Sequence, residues 1–384
     1  EHTCQRRKRS LIRNFRYPSL HALSAPAGAM AKSAELTWLD ALEAEESGDR
    51  EAALGAAKKT VRIDPTHSDG WMGVARWTLP PETRGRQDMP DLQQSAKAMA
   101  ALRKVVEIDP ENFAAWRLGG VLLVDHLGML EDGIRWWEAR RAVAPYEVTP
   151  LIEQIGILVR LGYYEECASL IEELFSEKMD ATDSKQLARM EAVRGMVSRA
   201  AKMEQDEIFK PQNPKHPRWV IIERMKARKP TSPTRFLFLV IAPLVFILGT
   251  FAMMVAGDTV WGSVFVFLFI LACFMVISRL TSGILHKLNR HALDLDRAID
   301  AETSTGKVCI PDSVRSSKLY IATTGQRMPA LNERLELIVE SGDKLPIRWK
   351  PEVPSFSTMD DKWWEGDSEG DPEEKPGELE SLDD

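Results

Sequence analysis

Cysteine is scarce: 384 residues hold four, Cys4, Cys167, Cys273 and Cys309, and no two form a CxxC pair. That spacing argues against a disulfide framework and against a thiolate zinc site. With no N-x-[ST] sequon in the chain, a reducing environment around the soluble parts is the simpler expectation. Catalytic signatures are missing too. The histidines, His67, His126, His216, His286 and His291 among them, are scattered, and HExxH does not occur. GxGxxG does not occur, and the TGK at 305–307 lacks the upstream glycine of a P-loop. No cofactor, no metal and no enzymatic activity are therefore expected. An enzyme of unrecognised type using residues 303–350 is the alternative on that side.

Charge of either sign is not in excess overall, with a net charge of −7 and 28% charged residues. Such values are ordinary for a globular chain, and the length allows two or three domains. No nucleic-acid partner is expected. The average hides local contrasts. Residues 1–33 carry Arg6, Arg7, Lys8, Arg9, Arg13 and Arg16 against Glu1 and lack the apolar core of a secretory signal. They read as a basic disordered arm or an upstream translation, with a transit peptide as the other option and Met30 as a natural start.

What the chain does contain is a repeat. KKTVRIDPTHSDGW (58–71), RKVVEIDPENFAAW (103–116) and RRAVAPYEVTPL (140–151) each end a helical pattern, turn at a proline and restart on a large apolar residue. Pro65, Pro110 and Pro145 mark the turns, Trp71 and Trp116 open the next helices, and Gly48-Asp49 turns the chain inside the first unit, with Ala53 at a small-residue position. A fourth unit fits from Gly162, with Tyr164, Cys167, Ile171 and Leu174 at helical spacing. TLPPETRGRQDMPDL (78–92) reads as a surface insertion, because proline cannot continue a helix. The pattern resembles the tetratricopeptide repeat, a helix–turn–helix unit of about 34 residues. The resemblance covers roughly 34–178 and implies an all-α, TPR-like helical solenoid, in which each pair covers the apolar face left by the previous one. Residues 183–207 read as an amphipathic capping helix, giving a repeat domain over 34–207.

In that family, peptides lie along the surface formed by the first helix of each pair. The resemblance places Trp38, Leu42, Met72, Arg76, Arg117, Val121, Ile152 and Arg160 on that surface, and these are the candidate peptide-binding residues. Apolar area with a few guanidinium groups suits a segment carrying apolar and acidic side chains. Trp38, Val121 and Ile152 also fit plain core packing. Where some family members hold a C-terminal carboxylate with Lys and Asn, this chain has Trp38, Leu42, Gly73, Ala114 and Leu118, so that mode of recognition is disfavoured.

Two apolar runs follow, 21 residues over 236–256 and 19 over 260–278, and Asp258 is the sole charge from Phe236 to Ser278. About 20 helical residues cross a bilayer core. The short GDTVWG between the runs can only turn the chain back, so 236–278 is expected as a two-helix transmembrane hairpin with Trp261 at the lipid boundary. Lys226, Arg228, Lys229 and Arg235 precede it, and Arg279, Lys287 and Arg290 follow it. The positive-inside rule then puts both termini in the cytoplasm. The absence of a clear signal favours a prokaryotic inner membrane. Residues 208–235 read as a Pro-rich basic linker with affinity for anionic lipid.

Beyond the hairpin, 279–350 reads as a cytoplasmic helical region. Leu285, Leu288, Ala292, Leu295 and Ile299 share a face, which could pair with a second copy as a coiled coil or lie on the membrane. Residues 328–342 form another short helix. The acidic tail, 351–384, is expected to be disordered. Its DDKWWEGD, with Trp363 and Trp364 among acids, is a candidate docking motif for the repeat groove in cis. The reading as a whole is a membrane-anchored interaction scaffold that recruits a protein or peptide at the cytoplasmic face. Its alternative is a subunit of a small transporter or channel.

Overall fold

The computed structural model describes residues 33–81, 88–176, 179, 183–200, 207–256 and 260–351. The basic leader over 1–32, the tail with Trp363 and Trp364, the first three residues of GDTVWG and part of the 78–92 insertion lie outside the described residues. What is described is all-helical apart from one isolated bridge between Val308 and Lys344.

Helix α1 (Ala34–Ser47) starts where the Ser33 side chain accepts from Leu36 N and stops at Gly48, whose φ of 83° is open to glycine at little cost. Asp49 caps α2 (Arg50–Ile63), His67 caps α3 (Ser68–Thr78), and Asp91 with Gln94 forms a capping box on α4 (Leu92–Ile108). Asn112 caps α5 (Phe113–Val121), which runs on through a wider turn in which Leu127 N bonds to Leu122 O. Then come α6 (Leu130–Val143), α7 (Val148–Leu161), closed by left-handed Gly162, and α8 (Tyr164–Leu174). These eight helices pack as successive antiparallel pairs, with α9 (Ser184–Ala200) lying on α7 and α8. The stack is TPR-like, and α9 sits where the capping helix is expected. Met190 and Val197 of α9 are buried, whereas Leu187 and Met196 of the expected face stay exposed.

The repeated I-D-P…W has a shared structural cause. Trp71 Nε1 donates to Pro65 O and Trp116 Nε1 donates to Pro110 O, both at 2.8 Å. Each indole thus satisfies the carbonyl that the proline turn leaves without a helical partner. Leu151 takes the same place after Pro145, fully buried, and fills it by packing alone. Within the pairs, close approach needs small residues. Ala41, Ala53, Ala57 and Ala75 are fully buried. Gly119 and Gly120 lie against the rings of Trp136 and Trp137, where an added Cβ would overlap the indole atoms.

A second module begins earlier than the sequence indicates. The linker expected over 208–235 is partly folded: Phe209 precedes α10 (Pro217–Met225), and Phe209, Trp219 and Ile222 are buried. They share a core with α14 (Arg290–Thr305), α16 (Lys318–Thr324) and α17 (Pro329–Ser341); α15 (Asp312–Arg315) closes its edge. The pair Arg218–Asp294, both buried, ties α10 to α14. Leu295, Ala298 and Ile299 are fully buried in this core. The apolar face of α14 is therefore covered within the chain, not by a second copy or by lipid. The helix also breaks at Asn289, so Leu285 and Leu288 belong to the preceding helix.

Between α10 and α14 stand the apolar helices: the short α11 (Pro233–Phe236), α12 (Ala242–Ala256) and α13 (Val260–Leu288). α11 and α12 run together into one helical stretch, Pro233–Val255, whose 23 residues are long and apolar enough to cross a membrane. In α13 the apolar stretch among described residues is Val264–Ile277, shorter than that. α12 and α13 pack on each other, yet Phe246 is 75% exposed and Met254 81%.

Two predictions test the stack. Gly120→Leu drives a side chain into the Trp137 ring and should cost about 3 kcal/mol or more through overpacking, read as a fall in the melting temperature. Cys167 is fully buried, and burial, with Glu166 adding, pushes its thiol up to about 12. A maleimide at neutral pH should leave Cys167 unlabelled in the native protein and label it in denaturant.

Candidate protein-binding surface

The eight residues expected on the first-helix surface divide into three groups. Trp38 is half-buried: its ring centroid lies 5.6 Å from Trp77 and 5.7 Å from His67, and it packs over Gly73. Leu42 and Met72 are half-buried beside it. Arg76 is exposed with Glu45 at 3.4 Å, while Arg117 and Val121, one turn apart on α5, are also exposed. These six keep some accessible area. Ile152 is a core residue, 4% exposed.

Arg160 goes elsewhere. It sits in the last turn of α7, and its guanidinium meets Asp300 of α14 through Nε at 3.1 Å and Nη2 at 2.9 Å. Arg327 reaches the same carboxylate at 2.9 Å and also pairs with Asp296. Asp300 is thus shared by a guanidinium from each module, and its side chain is only 3% exposed. Burial alone would lower the Arg160 pKa, but Asp300, Asp125 and Asp296 hold it above its ordinary value. Burial also pushes the Asp296 carboxyl up, Arg327 offsetting this in part and Asp300 adding to it.

This cluster is the centre of a long seam. Among the described residues, its hydrogen bonds to the stack fall at or beside the turns inside the helix pairs. At the second pair, Leu92 N donates to Glu333. At the third, Arg334 donates to Leu127 O and Thr303 O, Glu131 N donates to Ser304 Oγ, and Trp349 Nε1 donates to Glu131 Oε1. At the fourth, Arg297 donates to Arg160 O and to the Tyr164 hydroxyl. The glycines of two of these turns, Gly128 and Gly162, have positive φ and leave room for Thr303 and Arg297. The second module therefore fastens to the edge formed by these turns and leaves Arg117 and Val121 exposed. Sequence reasoning missed the seam: its only local sign is the pair Asp296 and Asp300, one turn apart on α14. Among the described residues no group of His, Cys, Asp or Glu gathers as a metal site.

No protein-family model and no curated protein matches the chain. Among solved structures it is similar to the MamA protein, at 14% identity and a TM-score of 0.33, over 45% of this chain and 88% of that one. Likeness at that level carries no functional argument, and the fold assignment rests on the helix pairs themselves.

The seam makes two predictions. Asp300→Asn removes the shared charge and leaves two guanidiniums without it. Breaking such a pair costs on the order of 3 kcal/mol, and hydrogen exchange should speed up at Leu127–Leu130 and around Gly162 while α1–α3 are unchanged. Acid should act the other way. Asp294, Asp296 and Glu302 all have raised values, burial being the first cause for each. A carboxyl whose folded value is raised stabilises when protonated and loses that contribution as pH climbs through the raised value. Lowering the pH from 7 towards about 5 should leave the protection of the second module's amides, with exchange rates divided by their intrinsic values at each pH, unchanged or higher.

Proposed function

We propose that the chain is a membrane-anchored protein-interaction scaffold. In this reading the TPR-like stack is a short solenoid whose first-helix surface takes a partner segment, and 236–278 crosses the membrane twice. The observation that carries it is the state of α12 and α13. In an apolar stretch of 18 residues within Pro233–Val255 only 17% of the residues are buried in the protein, and Phe251 and Phe265 are 67% and 62% exposed. A core helix of a water-soluble protein would bury these side chains; a bilayer accepts them facing outward.

The seam supports a return crossing. The chain leaves the stack, passes through α12 and α13, and comes back to grip the same stack. Both modules then share a side, which requires an even number of crossings. The basic flanks, Lys226, Arg228, Lys229 and Arg235 before and Arg279, Lys287 and Arg290 after, support the cytoplasmic side and contact with anionic lipid. For the partner, Arg76, Arg117, Val121 and the edges of Trp38 and Met72 offer apolar area with positive charge. An apolar segment carrying acids fits it; no catalytic role is invoked.

In sealed vesicles, added protease should cut the stack and the second module from the same side only. Cutting of the two from opposite sides contradicts the hairpin. An Arg76→Ala/Arg117→Ala variant should lose one partner on affinity purification from mild detergent yet keep its membrane association. Retention of every partner contradicts the assigned surface.

A further inference from the structure

A second surface on the stack lies away from both the seam and the residues above. Between α2, α3 and α4 a groove with a cavity volume of about 730 Å³ opens to solvent. Its floor is apolar, made by Val61, Val74 and Ala101 with the side of Trp71. Its rim is cationic: Lys58 and Arg62 come from α2, Lys97 and Lys104 from α4, and no carboxylate lines it. All four cations are exposed, and among the described residues Lys104 alone of them has an ion pair, with Glu107 at 2.7 Å. An apolar floor under four positive charges matches an acidic segment with large apolar side chains.

The chain holds such a segment. Residues 352–384 contain thirteen acids against Lys362 and Lys375, and Asp360, Asp361, Glu365 and Asp367 flank the adjacent indoles of Trp363 and Trp364. Its starting point is fixed to the stack. Trp349 bonds to Glu131 of α6, its ring lies 6.2 Å from Tyr163, and Pro351 is buried. From Pro351 to Trp363 the chain can extend about 40 Å. Helices pack about 10 Å apart, so α4 and α2 are within a few helix spacings of α6. A tether of that length gives a local concentration on the order of millimolar.

We infer that the acidic tail docks intramolecularly in the groove between α2, α3 and α4, with Trp363 and Trp364 on the apolar floor and the flanking acids against Lys58, Arg62, Lys97 and Lys104. The groove is then a self-occupied site that an outside acidic–aromatic segment must compete for. This inference stands apart from the membrane reading and from the first-helix surface.

The test uses the full chain in mild detergent, a form truncated after Pro351, and a fluorescent synthetic peptide of residues 358–370. The peptide should bind the truncated form at least about tenfold more tightly than the full chain, since the tethered tail competes at its local concentration. Lys58→Ala/Lys97→Ala in the truncated form should abolish most of the binding, and Arg117→Ala should leave it unchanged. Both lysines are exposed, so a circular-dichroism melt should confirm an intact fold. A Trp363→Ala/Trp364→Ala peptide should fail to bind. Equal affinity for the two forms overturns the inference. So does binding that depends on Arg117 but not on Lys58 and Lys97, or that survives loss of both indoles. Concentration-dependent self-association of the full chain that truncation removes would put the tail on a second copy and overturn the intramolecular form.

Discussion

One carboxylate joins the two halves of this protein. Asp300, nearly sealed from water, accepts from Arg160 on the stack and Arg327 on the second module. A buried ion pair contributes little net stability by itself, because desolvation offsets the attraction. It does fix which surfaces can meet, since any other register would strand charge in a dry place. Around it, Arg334 and Arg297 donate to backbone carbonyls at the turns, Leu127 O and Arg160 O. Turn carbonyls have no helical partner, so the seam satisfies groups that would otherwise need solvent. The helix stack and the second module, as far as Pro351, are joined through these contacts.

That joint constrains how the apolar helices can be used. α12 and α13 leave and re-enter the protein at neighbouring places, since α10 and α14 are held together by Arg218 and Asp294. A helix pair so rooted projects as a unit. Its outward phenylalanines and methionines find favourable surroundings in hydrocarbon and unfavourable ones in water. The apolar hairpin and the polar seam thus support each other. The seam keeps both modules together, and in the proposed membrane setting lipid would cover the surface that neither module covers.

Parts of this were legible in the sequence because their causes are local. Proline turns, Asp and Asn caps and the indoles six residues after Pro65 and Pro110 act within a few positions, so the helix pairs could be placed from spacing. Long apolar runs are equally plain. The seam was not legible, because Arg160 and Asp300 are far apart in the chain and nothing near either names the other. Arg160 looked like a groove residue since its helical position is right; its place in the final turn of α7 puts it at the edge instead. The 208–235 stretch looked like linker because its prolines and lysines dominate its composition. Its few apolar residues, Phe209 and the short run 219–222, give no clear period, and the burial of Phe209, Trp219 and Ile222 depends on a helix that arrives after the apolar segment. Only part of the expected face, Ala292, Leu295 and Ile299, belongs to α14, and periodicity cannot say whether a face is covered by its own chain, a copy or lipid.

The most direct test of the account is a cross-link formed across the seam while the protein is in a membrane. Glu131 N lies 3.1 Å from Ser304 Oγ, which places the two residues side by side across the seam. With Glu131→Cys and Ser304→Cys introduced into an otherwise cysteine-free chain, mild oxidation of carbonate-washed vesicles should produce an intramolecular disulfide in most molecules, and the protein should remain in the membrane pellet. Absence of that disulfide in the pelleted protein, or release of the protein by the carbonate wash, would contradict the account.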